Sequence, residues 1–332
     1  MAPPAPVALV GPTASGKSTL ALALARLRPE VELVSVDSMA VYRGMDIGTA
    51  KPSAAERGVV PYHLIDLVDP SEEFSVRQFQ SAAREAMAGI GRRGRRALLV
   101  GGTGLYVRAV VDDLDLPGRW PKIAAELDAD ADGPGGVEAL HARLVDLDPV
   151  AAGRMEKGNR RRVVRALEVT LGAGRPFSSF GPGLDVYPES PVVLVGIRFD
   201  AAVHDALIER RFHALLAAGF LDEVRALAAR PGGLSRTARQ ALGYRELLAH
   251  VEQALPLDDA VTAAVNRTRA FARRQWSWFK RDPRIHWLEP GSDVLAGLVA
   301  AFDRAAFDRA VFDRAASDRA GAGAGPAVVV GD

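Results

Sequence analysis

The stretch Gly11-Pro12-Thr13-Ala14-Ser15-Gly16-Lys17-Ser18 decides the fold, because it matches the phosphate-binding pattern G-x-x-x-x-G-K-S/T. Glycines let backbone amides approach phosphate oxygens, and the N-terminus of a following helix adds a partial positive charge. Lys17 adds a full charge, and the hydroxyl of Ser18 can ligate Mg²⁺. The motif therefore predicts a P-loop that binds a di- or triphosphate, with magnesium at Ser18. It does not predict that ATP is hydrolysed.

Short apolar runs around this loop predict a parallel sheet. Val7–Val10 ends at the loop, and Ser18–Leu27 has the composition of a helix. Three more apolar runs of strand length follow at Leu33–Val36, Ala97–Val100 and Val192–Ile197. Strands that alternate with helical segments are typical of βαβ units. We therefore predict an α/β fold with a P-loop NTPase-like parallel sheet core and a helical insertion domain.

The insertion is predicted where the alternation of strands and helices stops. Residues 115–185 are rich in helix formers, and basic residues concentrate near Arg154–Arg175. We therefore divide the chain into four parts. They are the first part of the core at 1–114, the helical insertion at 115–185, a mostly helical second part of the core at 186–295, and a low-complexity tail at 296–332.

The predicted tail contains a five-residue repeat, AFDRA, AFDRA, VFDRA, ASDRA, at residues 301–320. Five residues advance a helix by about 500°. Phe302, Phe307 and Phe312 would then point in three different directions. We therefore expect the repeat to lack a packed face, and the deletion of residues 301–332 to leave the fold and the activity intact.

Composition restricts the class of protein. The 332 residues carry a net charge of only +1, so total charge does not indicate a nucleic-acid partner. The chain has no cysteine, which excludes disulfides and thiolate metal sites. No apolar run has the roughly 18–20 residues that cross a membrane, and the first residues lack a basic segment typical of a signal peptide. We expect a soluble, cytoplasmic monomer.

Three side chains are predicted to meet at one edge of the sheet. Ligands bind at the carboxyl ends of strands in open α/β sheets, where Lys17, Asp37 and Thr103 all fall. The strand before Thr103 ends in Gly-Gly-Thr, whereas an ordinary NTPase carries an acid there to hold magnesium. Asp37 is instead the carboxylate nearest a strand end. It could act as a general base, hold metal through water, or cap a helix N-terminus.

Eight segments resemble the tRNA dimethylallyltransferases and occur in the same order. They are Gly11–Ser18, Asp37–Pro52, His63–Pro70, Leu98–Tyr106, Arg161–Val169, Ile208–Val224, Ala241–Glu246 and Thr268–Leu288. The resemblance covers roughly residues 7–290. Many families share the P-loop, but the complete set of segments is specific to this one.

The resemblance implies a P-loop kinase-like fold whose helical insertion grips the anticodon stem-loop of tRNA. It implies that the P-loop holds the diphosphate of dimethylallyl diphosphate, with Thr103 and Arg211 on the bridging oxygen and the diphosphate. Asp37 would accept a proton from the exocyclic amine of an adenine beside the anticodon. The remaining residues that would contact tRNA are Ser38, Met39, Ala40, Arg161, Arg162, Val163, Val164 and Arg165.

Two positions depart from the family pattern. Many members carry Gln or another larger residue in place of Ala40, so a side-chain contact is lost there. Ala124 stands where some members carry an arginine that contacts tRNA, and Lys122 is the nearest candidate to replace it.

Two basic clusters also suggest RNA. In Arg267–Arg284, arginines alternate with aromatic residues, which suits phosphate neutralisation and base stacking. The alternative is a helix whose aromatics face the core, and we favour this for Trp276 and Phe279, which are three residues apart. In the second cluster, Arg160–Arg165, the neighbouring valines indicate a buried side.

Three other classes of protein remain as alternatives. A small-molecule P-loop kinase would explain the sheet but not the insertion, and it would turn over nucleotide without RNA. An adenylate prenyltransferase would use a free nucleotide as acceptor. A non-catalytic RNA-binding protein would not need Lys17, Asp37, Thr103 and Arg211 together. The lack of cysteine excludes the zinc finger of many eukaryotic relatives and favours a bacterial form.

Overall fold

The computed structural model describes residues 5–289 and 293–305. These residues contain six strands, all paired in parallel in one sheet. The strands are β1 (Val7–Val10), β2 (Val31–Val36), β3 (Tyr62–His63), β4 (Arg96–Gly101), β5 (Val193–Ile197) and β6 (His286–Leu288). Their order across the sheet is β3-β2-β4-β1-β5-β6. The predicted α/β fold with a parallel sheet is confirmed.

The register of the sheet aligns the ends of its central strands. Val10 of β1 lies beside Gly101 of β4, and Val36 of β2 pairs with the same glycine. The residues that follow these three strands therefore leave the sheet at one edge. The four predicted strands are all present, whereas β3 and β6 were not predicted because two or three residues are too few to show a periodic pattern.

Helices cover both faces of the sheet and build the insertion. They are α1 (Lys17–Leu27), α2 (Ala54–Val59), α3 (Val76–Arg92), α4 (Gly104–Val111), α5 (Pro121–Asp132), α6 (Gly136–Leu147), α7 (Pro149–Ala152), α8 (Arg160–Ala173), α9 (Ala201–Ala217), α10 (Phe220–Ala228), α11 (Tyr244–Gln253) and α12 (Leu257–Phe279). Residues 294–305 are also helical, and we call them the C-terminal helix. None of the helices in the described ranges is long and apolar enough to cross a membrane.

Local sequence signals set several of these helix boundaries. Ser75 and Gln78 form a capping box at the start of α3, in which each side chain accepts from the backbone of the other residue. Asn159 accepts from the backbone of Arg162 at the start of α8. Gly174 ends α8 with a φ of 66°, a conformation that favours glycine.

The chain divides into two compact units. Residues 112–188 form the insertion unit, and the rest of the chain forms the sheet unit. The insertion unit contains α5 to α8 and has its own apolar core, which includes Leu127, Leu144 and Leu167. Its bounds lie three residues outside the predicted 115–185 at each end.

The C-terminal helix corrects the prediction that the repeat lacks a packed face. Leu298, Ala301, Phe302 and Ala305 are buried in the core cluster that includes α1. The guanidinium carbon of Arg96 lies 3.5 Å from the centroid of the Phe302 ring. The first unit of the repeat therefore packs. The prediction failed because it required all repeated phenylalanines to share one face, whereas one buried ring is enough. Residues 306–332, with Phe307 and Phe312, lie outside the described residues.

We expect Phe302→Ala to lower the free energy of unfolding by about 3–5 kcal/mol, because it removes a fully buried ring and leaves a cavity. Chemical denaturation would measure the change. Leu27→Ala is the control, because Leu27 is 52% exposed and its truncation should cost little. Equal unfolding free energies for the wild type and Phe302→Ala would show that the C-terminal helix does not stabilise the fold.

Candidate active site

The loops after β1, β2 and β4 line one cavity of about 570 Å³ in the sheet unit. The structure brings together most of the predicted site residues of this unit. The lining includes Thr13–Ser18 of the P-loop, Asp37–Ala40, Thr103 and Arg211. Gly11 and Pro12 are buried beneath the loop and are not part of this lining.

The P-loop directs the start of α1 into the cavity. Gly16 precedes the helix with a φ of 83°, a left-handed conformation that favours glycine. Among the described residues, no side chain caps the N-terminus of α1. The first backbone N–H groups of a helix lack partners within the helix and attract anions. Ser18, in the first turn, is exposed. This end of α1 is therefore suited to hold a phosphate.

Lys17 lies close to the backbone of the P-loop. Its Nζ donates to the carbonyl oxygen of Pro12 at 2.5 Å and to Oγ of Ser15 at 3.3 Å. Burial of the ammonium group and the nearby charge of Arg211 lower the pKa of Lys17 to about 7, although Asp37 acts in the opposite direction. Two cations close together without a matching number of carboxylates favour an anionic ligand.

Asp37 follows the last residue of β2 and orders the turn after it. Its Oδ1 accepts from the backbone N–H groups of Met39 at 2.7 Å and Ala40 at 3.3 Å. The segment that follows is a turn, and the next helix begins only at Ala54, so Asp37 does not cap a helix. No hydrogen bond to Oδ2 occurs within the described ranges, so this oxygen can meet a ligand.

Thr103 and Arg211 complete the polar lining of the cavity. Oγ1 of Thr103 accepts from the backbone N–H of Ser38 at 3.5 Å, which links the ends of β4 and β2. Burial lowers the pKa of Arg211, and Asp37 opposes this effect. In the described part of the chain, Asp37 forms no direct ion pair with Arg211 or Lys17. Lys17, Arg211 and Asp37 therefore remain available to interact with a ligand in the cavity, because none of them is paired directly with another of the three.

The same cavity also has an apolar part, and α9 supplies much of it. Ile208, Phe212 and Leu215 line the cavity from the same helix as Arg211. Their spacing of three and four residues places them on one helix face with the arginine. Phe220, at the start of α10, adds another buried ring. The cavity lining thus combines cationic and apolar side chains, as a molecule with an apolar tail and a diphosphate head requires.

Glu223 supports the cavity wall and was missed by sequence reasoning. Its carboxylate accepts from three consecutive backbone N–H groups, those of Asp46 at 2.8 Å, Ile47 at 2.7 Å and Gly48 at 3.1 Å. It also accepts from the phenol of Tyr244 at 2.5 Å. Burial and the charge of Glu223 raise the pKa of Tyr244, which keeps the phenol protonated as a donor. The quoted segments contain both side chains, but only the fold shows that they meet.

The insertion unit corrects part of the predicted tRNA contact. Val163 and Val164 are buried in its core, so their side chains do not reach the surface. Arg165 pairs with Glu168 at 2.8 Å and donates to backbone carbonyl groups of residues 117 and 118. Arg161 and Arg162 are exposed, and no carboxylate pairs with either in the described residues. Helix α8 thus turns its valines inward, and only these two arginines remain as surface candidates.

The prediction that the aromatics of α12 face the core is confirmed for Phe279, whereas Trp276 is half-buried and packs against other aromatic rings. Phe279 is buried in the main core, and the Trp276 ring centroid lies 5.2 Å from that of Phe199 and 4.9 Å from that of Trp287. Several arginines of this helix are engaged within the sheet unit. They pair as Arg267 with Glu246, Arg269 with Glu209, and Arg273 with Asp205. Arg274 is exposed and lines the cavity.

The strand order and the P-loop at the end of β1 define the chain as an α/β protein of the P-loop NTPase-like class. A family model described as IPP transferase matches residues 40–282. The chain therefore belongs to the IPP transferase family and is a transferase.

Individual relatives agree with this assignment. The chain is 48% identical over 297 residues to a tRNA dimethylallyltransferase of Kineococcus radiotolerans, covering 87% of this chain and 92% of that protein. A tRNA dimethylallyltransferase of Streptomyces coelicolor is 48% identical over 294 residues, with the same two coverages, 87% and 92%. Both matches extend over most of each chain.

Solved structures show the same fold. The tRNA isopentenylpyrophosphate transferase of Bacillus halodurans is 35% identical with a TM-score of 0.67, covering 93% of this chain and 98% of that one. A eukaryotic dimethylallyltransferase, solved acting on tRNA, has a TM-score of 0.70 and covers 92% of this chain and 77% of that one. It is 24% identical, so this likeness concerns the fold alone.

Proposed function

We propose that this chain transfers a dimethylallyl group from dimethylallyl diphosphate to the exocyclic amine of the adenosine 3′ of the anticodon in tRNA. The products are isopentenyladenosine and diphosphate. The observation that carries this proposal is that Lys17, Arg211 and Asp37 line the same cavity as the apolar residues of α9. The names of the bacterial relatives support tRNA as the acceptor.

The donor half of the reaction breaks an allylic C–O bond, and negative charge accumulates on the leaving diphosphate. The N-terminus of α1, Lys17 and Arg211 would stabilise that charge. Thr103, at the end of β4, would donate to the bridging oxygen. Ile208 and Phe212 would hold the dimethylallyl group out of water.

A magnesium ion fits this site through Ser18. In the described ranges, no cluster of three acidic, histidine or cysteine side chains could hold a metal by itself. Mg²⁺ commonly takes few protein ligands and completes its shell with water and substrate phosphates. Ser18 is exposed and lines the cavity, so its hydroxyl would be one protein ligand, and water and the diphosphate would complete the shell. The bound ion would add positive charge at the leaving group.

The acceptor half joins the adenine amine nitrogen to the allylic carbon. The nitrogen forms the new C–N bond and loses one proton, which Asp37 would accept on Oδ2 because Oδ1 is engaged by the turn. Ser38, Met39 and Ala40 line the cavity beside this carboxylate and would border the adenine.

The polymeric part of the acceptor would bind through phosphate contacts, for which Arg161 and Arg162 of the insertion unit are the candidates. A cytoplasmic location and a monomeric state remain predictions.

Labelled dimethylallyl diphosphate distinguishes this function from its alternatives. The chain is incubated with the labelled donor, Mg²⁺, and either bulk tRNA or AMP. We expect label only in tRNA. Label in AMP would indicate the free-nucleotide enzyme, whereas ATP turnover without RNA and without label transfer would indicate a kinase. Binding of tRNA with no chemistry on any acceptor would indicate an RNA-binding protein.

The double variant Arg161→Glu, Arg162→Glu should bind tRNA more weakly and with a weaker dependence on salt. Each lost phosphate contact lowers the slope of log affinity against log salt by about 1. Binding of dimethylallyl diphosphate should not change. Affinities measured over a salt series would test this expectation.

The matched control is Arg77→Glu, Arg92→Glu, which makes the same change of charge on exposed positions of α3 in the sheet unit. This control should retain the wild-type salt slope. If both double variants lose tRNA affinity equally, the effect comes from net charge and not from a local contact on α8.

A further inference from the structure

Gln275 is a buried polar residue on the apolar face of α12. It is 7% exposed and lies between the buried residues Ala272 and Phe279 on one side of the helix. Its Oε1 accepts from the backbone N–H of Thr13 at 2.8 Å, and its Nε2 donates to the carbonyl oxygen of Gly102 at 2.7 Å. One side chain thus joins the P-loop to the end of β4.

Thr13 is held from its other side as well. Nε2 of His204, a buried residue of α9, lies 2.8 Å from the carbonyl oxygen of Thr13. Because a carbonyl only accepts, this nitrogen carries the proton. Burial lowers the pKa of His204, although its bond to Thr13 acts in the opposite direction. Both backbone groups of Thr13 are therefore fixed by side chains from distant parts of the sequence.

The Gln275 amide also packs closely against Gly102, which leaves no room for a side chain at that position. A Cβ atom added at Gly102 would collide with the amide of Gln275 and approach the carbonyl oxygen of Gly11. The next residue after Gly102 is Thr103, which lines the cavity. A glutamine suits this place because its amide offers one acceptor and one donor at fixed separation.

We propose that Gln275 is a positioning residue that sets the placement of the P-loop relative to the hydroxyl of Thr103. Although Gln275 is part of the cavity lining, both polar atoms of its amide are bonded to the backbone, so it acts through Thr13 and Gly102. The expected effect on rate rests on the proposed function, in which the P-loop holds the diphosphate and Thr103 meets its bridging oxygen. Small errors in such a placement slow a reaction strongly while leaving binding largely intact.

Gln275→Met retains the size of the side chain and removes both hydrogen bonds. We expect the single-turnover rate of transfer to fall about 10–100-fold, with the Kd for inorganic pyrophosphate changed less than about threefold. Gln80→Met is the matched control. Gln80 is also buried and donates to a backbone carbonyl, that of Ala109, and it is not part of the cavity lining. An equal loss of rate in Gln80→Met would overturn the proposal.

A double-mutant cycle with Thr103→Val separates positioning from a general loss of stability. If Gln275 acts by placing the Thr103 hydroxyl, Gln275→Met should lower the rate much less in the Thr103→Val background than in the wild type. The same fold-loss in both backgrounds would overturn the proposal, and so would a wild-type rate in Thr103→Val. If Gln275→Met fails to fold, Gln275→Asn enters the same cycle, because its shorter side chain cannot reach both partners.

Hydrogen exchange at the Thr13 amide tests the structural half of the proposal without any catalysis. The wild type should protect this amide, and Gln275→Met should expose it to faster exchange, with Gln80→Met unchanged. Unchanged protection in Gln275→Met would overturn the proposal even if the rate falls. If the wild type transfers no dimethylallyl group at all, the proposed function fails, and exchange at Thr13 still decides whether Gln275 orders the loop.

Discussion

Asp37→Asn should slow the transfer step by about 10²–10⁴-fold, while the affinities for donor and tRNA change little. The adenine amine is a poor nucleophile because its lone pair is delocalised into the ring, so its attack needs a base to take the departing proton. Asparagine can replace Oδ1 of Asp37 as the acceptor of the two turn N–H groups. It cannot accept a proton in place of Oδ2. Single-turnover rates would measure the loss.

A magnesium series separates the remaining roles of Asp37. If the carboxylate mainly holds metal through water, raising Mg²⁺ should restore the rate of Asp37→Asn. If it acts as a base, magnesium should have no such effect. Asp37→Ala provides the comparison, because it removes the turn acceptor as well and should lose stability in addition to rate. A wild-type rate for Asp37→Asn at ordinary magnesium would remove Asp37 from the mechanism.

Lys17→Ala should weaken binding of dimethylallyl diphosphate by about 10²–10³-fold, since a charged donor in a desolvated site contributes several kcal/mol to holding an anion. The structure places this ammonium in the P-loop, close enough to Arg211 for the two charges to interact. Direct binding measurements with the donor or with pyrophosphate would detect the change.

Lys280→Ala is the control for Lys17→Ala, because it removes one positive charge from an exposed position after α12. This control should bind the donor like the wild type. Donor affinity that stays normal in Lys17→Ala would contradict the assignment of the P-loop as the diphosphate site.

The sequence predicted the parts of the site that follow strands. An apolar run, a glycine-rich loop and a helix in succession placed Lys17, and the same logic placed Asp37 and Thr103, because parallel strands end at one edge of their sheet. Arg211 lies on a helix far along the chain and was found only through the family resemblance. The sequence does not show that its apolar neighbours on α9, Ile208, Phe212 and Leu215, line a cavity, because an apolar helix face that packs in a core has the same pattern.

The errors have physical causes too. The resemblance assigned tRNA contact to five consecutive residues of α8, including Val163 and Val164. Consecutive residues of a helix point in different directions, and the two valines point into the core. The periodic pattern of α8 already indicated their burial. Gln275 and Glu223 were missed because their partners are backbone groups in distant loops, which a side-chain motif does not reveal.

Because Val10, Val36 and Gly101 are aligned at one edge of the sheet, residues cannot be inserted into these strands without displacing the site residues that follow them. One residue inserted within β2 would advance Asp37 by about 3.3 Å and turn its side chain to the other face of the sheet. An insertion in the exposed turn between α5 and α6, at Gly133–Gly135, would leave every strand end in place. A scan of single-residue insertions should therefore find that activity tolerates added length in that turn and loses it within the strands. Lineages can lengthen this protein in the insertion unit far more freely than in β1, β2 or β4.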